Sequence, residues 1–150
     1  MNLLLGVGNE LNGDDGIGPW VAQHFSDAGW QTIDCFTMPE NYTAMVKRLQ
    51  PHTIVIVDAA DMKIQPGEMR IIPQTQMESA AFSTHMLPLS IVVSYLQKAM
   101  SSEIWVIGIQ PELFDGTISP AVLHSGKRLM SMLASGNWQT INRFRPDVDK

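Results

Sequence analysis

The sequence predicts an α/β protein, a three-layer α/β/α sandwich built on a mostly parallel five-stranded sheet. Two observations carry that expectation. The apolar runs at residues 53–57 and 104–107 show no polar alternation, and strands apolar on both faces belong to parallel sheets covered by helices on each side. Between such runs, apolar residues fall at helical spacing, so the elements alternate as β-α-β-α-β-β-α-β-α, the pattern of a helix-covered parallel sheet.

The first strand is the run from Leu3 to Val7, closed by Gly8. The first helix follows Gly16, with Ile17, Trp20, Val21 and Phe25 on its apolar stripe and Gly29 near its end. A weaker strand centres on residues 32–34. Tyr42, Met45, Val46 and Leu49 then keep an i, i+3, i+4, i+7 stripe that Pro51 stops. The β-branched run 53–58 is the clearest strand, ending on Asp58, and a Pro66-Gly67 turn leads into a more alternating piece at 68–72, read as an edge strand. Pro88 opens a third helix carrying Leu89, Val92, Val93, Leu96 and Met100, and residues 104–109 form the last strand. Ser119 as N-cap and Pro120 at the first helical position start a fourth helix that ends near Gly136. Residues 1–136 are thus expected to form a single domain. Residues 137–150 turn polar and read as a tail, tacked down by Trp138 and Phe144.

Composition excludes several classes of function. The 150 residues are 45% hydrophobic and 17% charged, enough to bury a core. A net charge of −5 and the lack of a basic stripe argue against nucleic acid as a partner. A lone cysteine, Cys35, cannot form an internal disulfide, which suits a reducing compartment. No apolar run reaches the roughly 18–20 residues that a membrane span needs, and the N-terminus lacks the basic flank of a signal peptide. A cytoplasmic protein without membrane partners is expected.

In a sheet of this kind the functional crevice lies beyond the carboxyl ends of the strands, where strand order reverses. The loop after the first strand holds five glycines in the thirteen positions from Gly6 to Gly18, a backbone that turns sharply and allows close approach. A degenerate dinucleotide fingerprint is one reading, but Leu11 stands where glycine or alanine is wanted. Asp14 and Asp15 also occupy the helix start, where a pyrophosphate would bind, and would repel it. Capping accounts for one of these aspartates and leaves the other for the crevice, without deciding which. Asp58 closes an otherwise apolar strand and must be solvated, paired or bound to a cation; Asp61 is hard to separate from it by spacing alone. Among four histidines, His24 and His124 sit on helices and His52 lies at the wrong end of the sheet, whereas His85 lies in a loop entering a helix. Asp15, Asp58 and His85 together could offer two oxygens and one imidazole nitrogen to a borderline divalent ion such as zinc or nickel. Cys35 reads as a small hydrophobe rather than a nucleophile, and no Gly-x-Ser-x-Gly elbow occurs.

The signature Gly6-Val7-Gly8-Asn9-x-Leu11-x-Gly13-Asp14-Asp15-Gly16-x-Gly18-Pro19 resembles that of the nickel–iron hydrogenase maturation endopeptidases. The resemblance continues in order through Pro39-Glu40-Asn41, residues 56–62, Pro66-Gly67-Glu68, residues 84–88 and Gly108-Ile109-Gln110-Pro111. It is strongest to the hydrogenase 3 type. It implies an endopeptidase that removes a C-terminal extension from a hydrogenase large-subunit precursor once nickel has been inserted there. It also implies that the metal-contacting positions are Asp15, Asp58 and His85. The nickel would be the substrate's own, contacted transiently, with zinc or cadmium able to substitute, and the protein a monomer with no resident metal.

Asp34 matches a family aspartate that many members follow with a glycine pair; here Cys35 and Phe36 stand instead. Asp34 and Asp15 are the candidate catalytic carboxylates, either one acting as general base, while a substrate-held nickel could act as Lewis acid or as position marker. Met38 and Met86 could grip a protein substrate. The alternatives are a degenerate nucleotide-binding domain and a non-catalytic nickel-binding chaperone on the same fold.

Overall fold

The β-branched and leucine-rich runs do pair as a sheet whose central strands are buried on both faces. The computed structural model describes residues 1–82 and 87–149. Among the described residues there are six strands: β1 (Asn2–Gly6), β2 (Trp30–Asp34), β3 (Thr53–Asp61), β4 (Met69–Ile71), β5 (Ala81–Phe82) and β6 (Glu103–Ile109). The path runs β2-β1-β3-β6-β4, with β5 paired to β3 off that path. All neighbours on the path are parallel except β4, which lies antiparallel to β6. The five expected strands are therefore there, with the two-residue β5 added.

Four helices cover the sheet: α1 (Ile17–His24), α2 (Thr43–Leu49), α3 (Leu89–Ala99) and α4 (Pro120–Ser135). Alternation along the strands divides the core in two. Leu3, Leu5, Ile54 and Ile56 point to the side of α2 and α3 and pack with Val46, Val92, Val93 and Leu96. Leu4, Val55, Val57, Ile107 and Ile109 point the other way, onto Ile17, Val21, Val122 and Leu129 of α1 and α4. Burying each such aliphatic side chain contributes about 1.5–3 kcal/mol, so both layers hold the sheet.

Chain order makes the crevice. From β1 the chain moves outward to β2 and then returns to the other side of β1 as β3. The switch point thus lies beyond the carboxyl ends of β1 and β3. α1 sits very close to that edge: a Cβ at Gly18 would come within 2.3 Å of Val7 O and 2.5 Å of Val57 O. Close approach at this glycine therefore serves the protein's own strands and not a bound nucleotide.

Two local expectations are corrected. β3 does not stop at Asp58 but runs on to Asp61, because Ala59 and Ala60 are also buried and the extension pairs with β5 (Ala60 with Phe82, Asp61 with Ala81). The first helix ends at His24, with Phe25 already extended. Ser119 occupies the N-cap position of α4 but makes no side-chain cap bond; its hydroxyl is turned to Asp14. Beyond α4, Trp138, Ile141 and Phe144 are buried. Ile71 N donates to Asn142 O, and Phe144 N donates to Ile71 O, which fastens this stretch along β4.

Candidate active site

The loop after β1 folds into a 3₁₀ turn, Gly13–Gly16, immediately before α1, and Asp14 and Asp15 are both fully buried in it. Their carboxylates go to different places. Asp14 takes four donors from the loop joining β6 to α4: Glu112 N (2.8 Å), Leu113 N (2.9 Å), Ser119 N (2.6 Å) and Ser119 Oγ (2.8 Å). It therefore caps no turn of its own helix; it closes a neighbouring loop. Asp15 accepts from Asn9 N at 3.1 Å, within the switch-point loop itself. The alternative left open by the sequence is thus divided, with Asp14 structural and Asp15 on the crevice side.

Asp58 is fully buried in β3, in register with Gly108 of β6. It lies one residue past Val57, which pairs with the last residue of β1, so it stands where β1 stops and the crevice begins. The 3₁₀ turn bearing Asp15 packs against β3. Two buried carboxylates thus share one edge of the sheet. Asp61 separates from Asp58 plainly: it is exposed, and its Oδ1 accepts from Lys63 N and Gln110 Nε2. The third expected member, His85, lies outside the described residues, as does Met86. Among the described residues no three acidic, histidine or cysteine side chains gather as a metal site.

Asp34 ends β2 on the same edge and is partly exposed. Its Oδ2 accepts from Gln23 Nε2 at 2.9 Å and its Oδ1 from Phe36 N at 3.0 Å. Cys35 beside it is fully buried, and its thiol is pushed up to about 12 by burial and by the Asp34 charge. A thiol so held is neutral at any physiological pH and is no nucleophile. Phe36 follows with φ 53°, in the left-handed region where glycine is at ease, and is about half exposed. Its carbonyl accepts from Gly8 N at 2.7 Å, tying the Asp34 loop to the first loop. Met38 is partly buried at the start of the next turn.

The other histidines stay away from this edge. His24 is exposed and stacks on Trp20, ring centroids 4.3 Å apart. His52 is exposed at the opposite edge, where its backbone N–H donates to Met1 O, and His124 is exposed on α4.

Sequence reasoning passed over two residues that shape the site. Gln110 is buried, and its amide bridges Met62 N (2.7 Å) and Asp61 Oδ1 (3.1 Å), holding the chain after β3 to the end of β6. Gln23 links Asp34 to Glu10, donating to Glu10 Oε2 at 3.1 Å. A lone glutamine on a helix or strand end has no spacing signal. Gln110 could have been singled out only through its place in a signature block. Glu40, also in such a block, has one buried carboxylate oxygen, Oε1, with no donor within reach among the described residues.

Comparison with known proteins gives the family. Residues 20–136 match the family model described as hydrogenase maturation protease. The Escherichia coli K12 hydrogenase 3 maturation protease is 39% identical over 116 residues, covering 75% of this chain and 74% of that protein. The solution structure of the E. coli endopeptidase HycI superposes with a TM-score of 0.87 at 29% identity, covering 98% of each chain. The nickel–iron hydrogenase maturation protease HycI of Thermococcus kodakarensis superposes with a TM-score of 0.80 at 30% identity, covering 91% of each. With the family model spanning most of the chain and the fold shared end to end, the protein belongs to the hydrogenase maturation protease family and is an endopeptidase of hydrogenase maturation.

Proposed function

We propose that this endopeptidase removes a C-terminal extension from a hydrogenase large-subunit precursor after nickel has been inserted, and that Asp15, Asp58 and His85 read the substrate's nickel. The observation that carries this is the burial of Asp15 and Asp58 on one edge of the sheet, at the topological switch point. Two carboxylates placed on one edge repel one another, and both favour a cation brought there. Oxygen donors with one imidazole form an open ligand set for a borderline divalent ion. Zinc or cadmium would then occupy the same place. The nickel belongs to the substrate and marks a precursor that is ready for cutting.

Hydrolysis further needs a water deprotonated beside the scissile carbonyl. Asp34 suits that role because it stands partly exposed at the same edge, oriented by Gln23 and by Phe36 N. Asp15 is the other carboxylate near enough to the first loop to serve. The protein acts as a cytoplasmic monomer in this reading. No helix among the described residues is long and apolar enough to cross a membrane.

The test compares nickel-loaded with nickel-free precursor, each incubated with the protein and weighed by mass spectrometry. Loss of a C-terminal peptide from the loaded form alone is the expected result. Equal cutting of both forms would remove nickel from the mechanism, and cutting of neither would remove the proposed substrate.

A further inference from the structure

The loop joining β6 to α4 is exposed from Glu112 to Thr117, yet it is held like a piece of the core. Asp14, fully buried, gives its whole carboxylate to the two ends of this loop. Asp14 N also donates to Leu113 O at 2.8 Å. Gly13, at φ +58°, lies so close that a Cβ there would come within 2.6 Å of Asp115 N. Rigid backing of this kind presents a surface in a fixed shape, which lowers the cost of ordering it on binding.

What the loop presents is apolar. Leu113 and Phe114 are 51% and 45% exposed, and Leu11, two residues before Gly13, is 88% exposed. One exposed leucine means little, but neighbouring large apolar side chains on a fixed support mark an interaction surface. Behind them, between α1 and the same loop, runs a groove of about 460 Å³ lined by Trp20, Ile118, Leu123 and the side chains of Glu10 and Gln23. That volume falls within the roughly 300–1,000 Å³ of ligand sites. Gln23 bonds both Glu10 and Asp34, so the groove leads to the carboxylate placed beside the cleavage point.

Charge narrows the occupant. Glu10, Glu112 and Asp115 stand exposed around this surface, and among the described residues no lysine or arginine lines the groove. We infer that this groove, together with the exposed Leu11, Leu113 and Phe114 of the two loops that also supply its lining residues Glu10 and Gly116, docks the precursor's chain beside the scissile bond and selects a segment combining apolar side chains with a basic one. This rests on the endopeptidase acting on a hydrogenase precursor, and adds which surface grips it and what that surface reads.

The test measures Kd for the precursor by calorimetry, and separately kcat and KM for its cleavage. Leu113→Asp with Phe114→Asp should raise Kd and KM at least tenfold, with kcat lowered less than threefold and the thermal midpoint kept. Glu112→Lys with Asp115→Lys, which leaves the apolar side chains in place, should raise Kd severalfold, and added salt should weaken wild-type binding in the same direction. Val148→Asp, on an exposed side chain away from the groove, serves as the control and should leave Kd unchanged. Unchanged Kd and KM in both double variants would overturn the docking surface. Binding that depends on these residues without any cleavage would keep the surface and sink the proposed reaction instead.

Discussion

Asp14 and Asp15 are neighbours in sequence, equally buried and equally acidic, yet they belong to two regions that differ in kind. Asp14 faces the loop after β6 and is saturated by four donors, three of them backbone N–H groups. Asp15 faces the first loop, beside the strand that carries Asp58. Asp14 makes shape; in the proposed function Asp15 offers charge. A buried acid is stabilised by the protein's own dipoles, to which a ligand's cation can add, and a one-residue step along a 3₁₀ turn sends two neighbouring carboxylates to different surroundings.

The contrast is most exposed to test at Asp15. Asp15→Asn keeps size and one acceptor oxygen but removes the charge, and cleavage of loaded precursor should fall about 1,000-fold, some 4 kcal/mol on the barrier. Asp58→Asn should do the same. In both variants the thermal midpoint should stay within a few degrees, and wild-type rates in either would remove that residue from the site. Asp14→Ala should show the opposite signature. It leaves three backbone donors without their charged acceptor, and should lower unfolding free energy by about 3 kcal/mol or more in a urea titration. A midpoint near that of the wild type would mean that the clasp holds nothing.

Two smaller effects concern the Asp34 side. Cys35 is neutral in the fold up to about pH 12 against an ordinary value of 9.0. The unfolded chain therefore loses the thiol proton first, so the stabilisation is intact below pH 9 and falls as pH rises toward 12. By pH 10 the loss should be about 1.4 kcal/mol, and Cys35→Ala should abolish that share of the alkaline decline. Native protein should also resist thiol alkylation at pH 8. Phe36→Gly should relieve the left-handed backbone at φ 53°. The gain is partly offset by the greater freedom of glycine in the unfolded chain, and should net about 0.5–1 kcal/mol, read as a slightly higher thermal midpoint.

Much of the fold could be read from the chain because its signals are local. The β-branched run 53–57 and the helical stripe from Leu89 to Leu96 each predict their own element. β5 and the end of β3 escaped because Ala59, Ala60 and Ala81 carry little preference of their own, and only pairing makes them strands. The site was legible in part. Asp58 stood out as an acid at a strand end, Asp15 as one at a helix start and Asp34 through the family resemblance, and the structure places all three on one edge. Which of Asp14 and Asp15 was structural could not be read, since it depends on a loop about 100 residues away. Ser119 stands at the N-cap, as its place before Pro120 predicts, but that its hydroxyl serves Asp14 across the fold could not be read locally. A sequence window shows what a side chain can do locally, and a buried acid answers to whatever donors the fold brings.

Whether Asp15 and Asp58 meet the nickel of the substrate can be decided by nickel K-edge X-ray absorption, on loaded precursor mixed with stoichiometric enzyme and frozen at once. The nickel should gain oxygen or nitrogen ligands on mixing with the wild type and fewer with Asp15→Asn or Asp58→Asn. A nickel environment that stays the same with all three proteins would separate these carboxylates from the metal.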